Sequence, residues 1–268
     1  MKYGFCSNIK FIMDGDEKSG KIFDAIAKSG FEYLETQMYD VVDLDKAKYA
    51  ELKKRLADSG IGISAGMLLF PRDLPLVSDE MDINKIKECA TKVMDVSADL
   101  GTEMIVFGNG GGRKVKEGMD FDKCYKKMQE IVAAVDPIAG KYKIKIAVEP
   151  LCGKETNMIN SVQEAVDLVK SVGAVNVGSV CDWYHVRMDN RTMDDLVANK
   201  DKVFHLHIAY PNGRKMPTSE DDMSEYTVFV DAVKKIGYNG KLSIEGNAGE
   251  VTLERFKDSL ATLKKLFG

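Results

Sequence analysis

The stretch IKIAVEPLCGKETNMINSVQEAVDLVKSVGAVNVGSVCD, residues 144–182, decides the reading of the whole chain. It opens on the apolar run Ile144–Pro150, preceded by Lys143 and alternating only in part, which Pro150 ends by restricting the residue before it and removing a backbone donor. Ser161 with Glu164 three positions on is a capping box that starts a helix over Val162–Ser171, and Gly173 marks a left-handed stop. Asn176–Asp182 is a second apolar run. A strand, a crossover helix and another strand make a parallel unit, and both runs are more apolar than a solvent-facing antiparallel strand requires.

The same unit recurs in both directions. Strands are expected over Tyr3–Ile9, Phe31–Thr36, Ile61–Met67, Glu103–Gly108, Ile144–Pro150, Asn176–Asp182, Val203–Ala209 and Leu242–Gly246. Helices are expected near Gly20–Ser29, Asp45–Ser59, Ile83–Leu100, Phe121–Gly140, Val162–Ser171, Met193–Asn199, Met223–Ile236 and Leu253–Leu266. Gly30, Gly60, Gly101, Gly140, Gly173 and Gly237 or Gly240 fall where a helix would end in a left-handed cap. Repeated strand and helix units predict a closed (β/α)8 TIM barrel, one domain over residues 1–268, because closing a parallel sheet removes both edges. An open doubly wound sheet would want a Gly-rich phosphate loop after its first strand, and Ser7-Asn8-Ile9-Lys10-Phe11-Ile12-Met13 is not one.

Composition narrows the function classes. With 44% hydrophobic and 30% charged residues in 268, the chain has enough apolar material for a large core. A net charge of -4 and a pI near 5.6 lack the clustered positive charge that nucleic acid or an anionic membrane attracts. The N-terminal residues do not read as a signal peptide and no apolar stretch reaches membrane length, so a cytoplasmic protein is expected. Cys6, Cys89, Cys124, Cys152 and Cys181 are scattered, odd in number and free of C-x-x-C pairs, which fits a reducing compartment and small buried side chains.

Barrels assemble chemistry where strands end, and here the last strand ends carry ionisable groups. They read Val148-Glu149-Pro150, Cys181-Asp182-Trp183, His205-Leu206-His207 and Ile244-Glu245-Gly246. All of the chain's 3 histidines, His185, His205 and His207, fall in this region. Three carboxylates with one imidazole make a divalent-metal site from Glu149, Asp182, His207 and Glu245. The oxygen-rich set favours Mn²⁺, with Mg²⁺, Co²⁺ or Zn²⁺ as alternatives. Such a site suits a small sugar or polyol ketone. The ion acidifies the carbon beside the carbonyl, while Glu149 and Glu245 exchange its proton as an acid–base pair.

Around that set, His185 and Glu155 are placed to bind substrate hydroxyls, and Arg214 to clamp substrate oxygens. His205 is either a partner that orients an acid or simply packed. Trp183, Tyr184 and Phe70 are candidate apolar walls. The Gly108-Asn109-Gly110-Gly111-Gly112-Arg113 segment frees backbone N–H groups beside an arginine, so it reads as a phosphate or hydroxyl cradle or else as a flexible rim loop.

Taken over essentially the whole chain, these motifs resemble the sugar phosphate isomerase/epimerase family of xylose isomerase-like barrels, and within it the ketose 3-epimerases. The resemblance rests on Glu149-Pro150-Leu151 with Glu155, Asp182-Trp183-Tyr184-His185, His205-Leu206-His207 and Ser243-Ile244-Glu245-Gly246. It implies that Glu149, Asp182, His207 and Glu245 bind the metal, that the two glutamates carry the proton transfers, and that Glu155 and His185 touch the sugar. The implied reaction is epimerisation of a free ketose at C3 through an enediolate, by a homodimer or homotetramer. The family also holds aldose–ketose and hydroxypyruvate-type isomerases and inosose dehydratases. An abasic-site endonuclease-like hydrolase and a non-catalytic sugar binder are the competing classes. There are two departures. The expected arginine position is Gly213, with Arg214 one further on, and a Pro-Gly-x-Gly turn is replaced by Pro217-Thr218-Ser219-Glu220-Asp221-Asp222, whose charge would disfavour a phosphorylated substrate if it faced the pocket.

Overall fold

Each expected apolar run contributes a strand, and in the computed structural model, which describes residues 1–13 and 17–268, the eight pair in parallel in chain order and close into a barrel. The strands are β1 (Lys2–Cys6), β2 (Tyr33–Gln37), β3 (Ile63–Met67), β4 (Met104–Phe107), β5 (Lys145–Val148), β6 (Val177–Asp182), β7 (Val203–Ile208) and β8 (Lys241–Ile244). Ile86, Val93, Val135, Val166, Phe229 and Phe256, buried on the surrounding helices, belong to the main core outside the barrel. A smaller cluster of Tyr33, Ala65, Met104, Val106, Ala147 and Val180 fills the lumen. No helix among the described residues is long and apolar enough to cross a membrane.

The first strand is shorter than its pattern. Asn8 Oδ1 accepts the Lys10 N–H at 2.9 Å, a local cap that turns Ile9–Met13 into a helix. Short helices at Met38–Val42, Gly110–Arg113 and Trp183–Met188 were likewise not expected; each follows a strand end within a few residues, too short to show a helical period. Helix punctuation follows the sequence at Gly60 (φ 72) and Gly101 (φ 74). Gly140 is a correction: it lies inside Phe121–Tyr142, and Lys143 takes the left-handed cap at φ 57. A Cβ at Gly140 would lie 2.7 Å from Asn176 Nδ2, so that glycine serves packing. Ser161 accepts the Glu164 N–H at 3.1 Å, and the Glu164 carboxylate reaches one residue beyond the usual box to the Asn160 N–H at 2.7 Å.

Strand register decides which side chains meet. One row runs Tyr33, Gly4, Ser243, His207 and Asp182 across β2, β1, β8, β7 and β6. A register shift between Ser179 and Val180 brings Val180 opposite His205 and Asp182 opposite His207. Gly4 is what lets the row close: a Cβ there would lie 2.2 Å from the Tyr33 ring, which is itself buried and hydrogen-bonded to Ser243 Oγ at 2.9 Å. Gly4→Ala is expected to cost roughly 1–3 kcal/mol by overpacking, read by urea unfolding. A variant as stable as the parent would show that Tyr33 has room to retreat.

Candidate metal centre

Glu149 lies one residue beyond β5, its N–H bonded to the Phe107 carbonyl at 3.1 Å. Glu245 lies one beyond β8, its N–H on the Ile208 carbonyl at 3.0 Å. Asp182 ends β6 and also caps the Trp183–Met188 helix, Oδ1 accepting the Tyr184 N–H at 2.7 Å. Gly108 makes room for the first acid, since a Cβ there would fall 2.6 Å from Glu149 Oε2. Glu149, Asp182, His207 and Glu245 each bring a donor atom within 4.8 Å of the others.

The His207 ring fixes the electrostatics. Its Nε2 lies 3.0 Å from Glu35 Oε1. Its Nδ1 lies 3.0 Å from Glu149 Oε1, 3.2 Å from Glu245 Oε2 and 3.9 Å from Asp182 Oδ2. A carboxylate only accepts, so Nε2 carries a proton, and a neutral ring would then aim a bare Nδ1 lone pair at three acids. Positive charge belongs between them. In the metal-free protein it is a second proton: burial opposes charging, but Glu35, Cys6 and the adjacent carboxylates of Glu149 and Glu245 outweigh it and hold the His207 pKa well above its usual value.

A divalent ion meets the same demand. Donors about 2.1 Å from an octahedral ion stand about 3.0 Å apart when adjacent and about 4.2 Å when opposite, which matches these spacings. Buried Asp182 Oδ2 and Glu245 Oε2 make no hydrogen bond, as atoms reserved for an ion would. Glu245 Oε2 stands 2.9 Å from Arg214 Nη2 at an ion-pair distance, off hydrogen-bond geometry. Burial, with Glu245 and against His185, lifts Asp182 to about 6. Burial would raise Glu245 too, but His207 and Arg214 prevail and hold it at about 2. The residues present therefore fit a buried, oxygen-rich divalent site.

Behind His207 lies a group the sequence reading missed. Glu35 is fully buried and takes His205 Nε2 at 2.7 Å and Ser243 Oγ at 2.6 Å, besides His207. Its signal was present in Tyr33-Leu34-Glu35-Thr36, an acid inside a strand buried on both faces. His205, left open between partner and packing, is thus joined to His207 through Glu35.

At the rim, Gly213 (φ 83) and Arg214 (φ 47) are both left-handed, and this twist turns the Arg214 guanidinium over the Tyr184 ring at 4.6 Å. Arg214 Nη1 lies 3.4 Å from Glu155 Oε1 and Nη2 3.5 Å from His185 Nε2. His185 lies on the Trp183–Met188 helix, and its Nδ1 accepts the Cys152 N–H at 3.2 Å. Two wall assignments are corrected: Trp183 stacks on Phe229 at 5.5 Å and Phe70 meets Phe107 edge-on at 5.1 Å, both inside the core. The glycine segment is neither phosphate cradle nor flexible loop. Arg113 is fully buried, and its guanidinium donates inward to the carbonyls of Glu149 (2.5 Å), Ile159 (3.4 Å) and Phe107 (3.5 Å). In the acidic loop, Asp221 receives the Thr218 N–H and Tyr226 hydroxyl, Asp222 caps Met223–Tyr226, and Glu220 pairs with Arg255.

Because an ion must replace the His207 Nδ1 proton, its uptake is expected to release that proton near pH 7. Affinity should rise as pH climbs toward the raised His207 pKa and fall below pH about 6, where Asp182 also protonates. Mn²⁺ titration calorimetry in two buffers of different ionisation enthalpy measures this, and uptake without proton release would contradict it.

The family described as xylose isomerase-like TIM barrel matches residues 23–266. A D-psicose 3-epimerase of Agrobacterium fabrum is 22% identical over 240 residues, covering 85% of this chain and 79% of its own. A D-allulose 3-epimerase structure from Methylomonas sp. superposes with a TM-score of 0.81 at 19% identity, covering 99% of this chain and 98% of that one. A 3-keto-D-glucoside 4-epimerase structure from E. coli does so with a TM-score of 0.79 at 19% identity, covering 99% of each chain. At these identities the two structures speak for the fold alone.

Proposed function

The chain belongs to the xylose isomerase-like TIM-barrel family, and on that premise we propose that it is a divalent-metal-dependent epimerase of a free ketose, acting at C3 through an enediolate. The observation that carries this reading is the placement of Glu149 and Glu245. They stand 3.0 and 3.2 Å from His207 Nδ1 and arrive from strands three steps apart round the barrel. Carboxylates so placed reach one carbon from different sides, so one removes its proton and the other returns a proton to the opposite face.

Glu149, Asp182, His207 and Glu245 would hold the ion, with Mn²⁺ favoured by the oxygen-rich set. When bound, it supplies Lewis acidity that stabilises the negative charge developing on the substrate oxygens. The remaining groups select and orient. The Cys152 N–H occupies His185 Nδ1, so a neutral His185 carries its proton on Nε2; Arg214 beside it only donates, so both groups are left to donate to substrate oxygens. Glu155, 42% exposed at the rim, meets Arg214 through Oε1 and has its other oxygen to accept a sugar hydroxyl. Arg214 neutralises Glu245 at rest, and a substrate oxygen that draws the guanidinium away leaves that carboxylate more basic.

A free sugar is favoured over a phosphorylated one because Arg113, the cation of the glycine segment, points inward to carbonyls. A multi-metal phosphodiesterase is disfavoured, since the chain has 3 histidines and of these His207 alone joins the four-donor set, His205 being held by Glu35 and His185 by the Cys152 N–H. A sugar binder without catalysis would need neither glutamate as a proton carrier.

With Mn²⁺ and a panel of free ketoses in deuterated water, solvent deuterium should appear at C3 of both epimers. Label at C1 with an aldose product would point to aldose–ketose isomerisation, and no exchange across the panel would sink the proposal. Glu149→Gln and Glu245→Gln should each lower kcat by about 10²–10⁴-fold while retaining measurable ligand binding. Normal turnover in both variants would overturn the assigned roles.

A further inference from the structure

The carboxylate of Glu35 takes no part in the chemistry above, yet it is completely buried beneath the centre and reaches across the lumen from β2 to β7 and β8. We propose that Glu35 is the positioning residue of the metal centre, holding both β7 histidines by their Nε2 protons so that His207 presents Nδ1, and only Nδ1, to the ion. The inference rests on the metal reading of the four donors.

The count of donors and acceptors supports it. Glu35 Oε1 faces His207 Nε2 at 3.0 Å, while Oε2 faces His205 Nε2 at 2.7 Å and Ser243 Oγ at 2.6 Å. An ionised carboxylate has only acceptors, so all three neighbours must donate. Ser243 has one proton and gives it to Glu35, so the Tyr33 hydroxyl, 2.9 Å from Ser243 Oγ, must donate to Ser243. The chain Tyr33, Ser243, Glu35, His207 therefore has one consistent proton arrangement, and in it His207 Nδ1 is left for the site. The His205 ring stands edge-on to His207 at 4.8 Å between centroids, and its own Nδ1 is buried without a partner. His205 thus completes the clamp on Glu35 without facing the four donors.

Two physical effects follow. An imidazole free to turn about its ring bond would present either nitrogen, and the carboxylate removes that freedom. A negative acceptor on the far nitrogen also makes the near one a stronger donor to a cation. Glutamine at this position would keep the volume but place an NH₂ against an N–H or O–H donor, breaking the arrangement. A role confined to bracing β2 against β7 and β8 makes a different forecast: lower stability with metal affinity and ring tautomer unchanged.

The test uses ¹⁵N-histidine-labelled protein loaded with Zn²⁺, a diamagnetic ion, and reads each ring tautomer from two-bond ¹H–¹⁵N correlations. The parent protein should show His207 and His205 protonated at Nε2, with His207 Nδ1 bearing the ion; a His207 proton on Nδ1 in the loaded protein would overturn the proposal without any variant. Folded Glu35→Gln should bind Mn²⁺ about 10–100-fold more weakly by titration calorimetry at fixed pH, with the His207 Nε2–H signal lost or split. Ser243→Ala, a milder change in the same network, should weaken binding by a smaller factor. An unaltered Kd in folded Glu35→Gln, or in Ser243→Ala where the glutamine variant does not fold, sinks this inference alone. A parent protein that takes up no divalent ion sinks the metal reading with it.

Discussion

Everything at the mouth of this barrel depends on an imidazole held between a carboxylate behind it and three in front. Glu35 engages one nitrogen of His207, and Glu149, Asp182 and Glu245 surround the other. In a closed lumen such crowding of like charge is costly unless a cation sits among the acids. The metal-free protein answers with an imidazolium and with Arg214 lent from the rim. An ion answers with two charges at the point where the acids converge. Metal binding would thus relieve an electrostatic conflict that the fold has already built.

The fold builds that conflict with small concessions elsewhere. Gly4 gives way to the Tyr33 ring and Gly108 to a Glu149 oxygen, so two side chains that support the centre occupy space where a Cβ would stand. Arg113 acts from outside the lumen. Its guanidinium ties the Glu149 carbonyl to those of Phe107 and Ile159, which holds the backbone where β5 gives way to Pro150. A buried guanidinium bound only by carbonyls is itself uncomfortable: burial lowers its pKa to about 10, against the pull of Glu149 and Glu155. Its charge lies near the acids it helps to place, which makes the two burials mutually supporting.

The barrel and the four donors were legible in the sequence because each rests on a local pattern: apolar runs of strand length, helix caps, and acids placed just beyond the apolar run. Strands place alternate residues on one face, so His205 and His207 had to share a side, and they do. What escaped was non-local. Glu35 meets His207 across 172 positions of sequence, and no spacing rule links them. Arg113 was misread because a glycine-rich segment before an arginine looks open, whereas the segment coils into a short helix and buries the arginine. Trp183 and Phe70 were taken for walls on chemistry alone, and the core claimed them first, as it does most large apolar rings.

The division of the lumen explains how one half of the barrel can be so polar. Strands β5 to β8 deliver the donors, while on β1 to β3 Cys6 stands in register with Glu35 and Ala65, and Gln37 in register with Met67. The charge that half brings to the centre is Glu35, set beneath His207, and Gln37 Oε1 there is buried without a hydrogen-bond partner. On the proposed reading, that unpaired amide oxygen offers an acceptor to a neutral hydroxyl and nothing to an anionic group, in keeping with the inward turn of Arg113. Charge gathered at the ends of β5 to β8, with Glu35 of β2 beneath it, thus sets where in the lumen a cation is favoured.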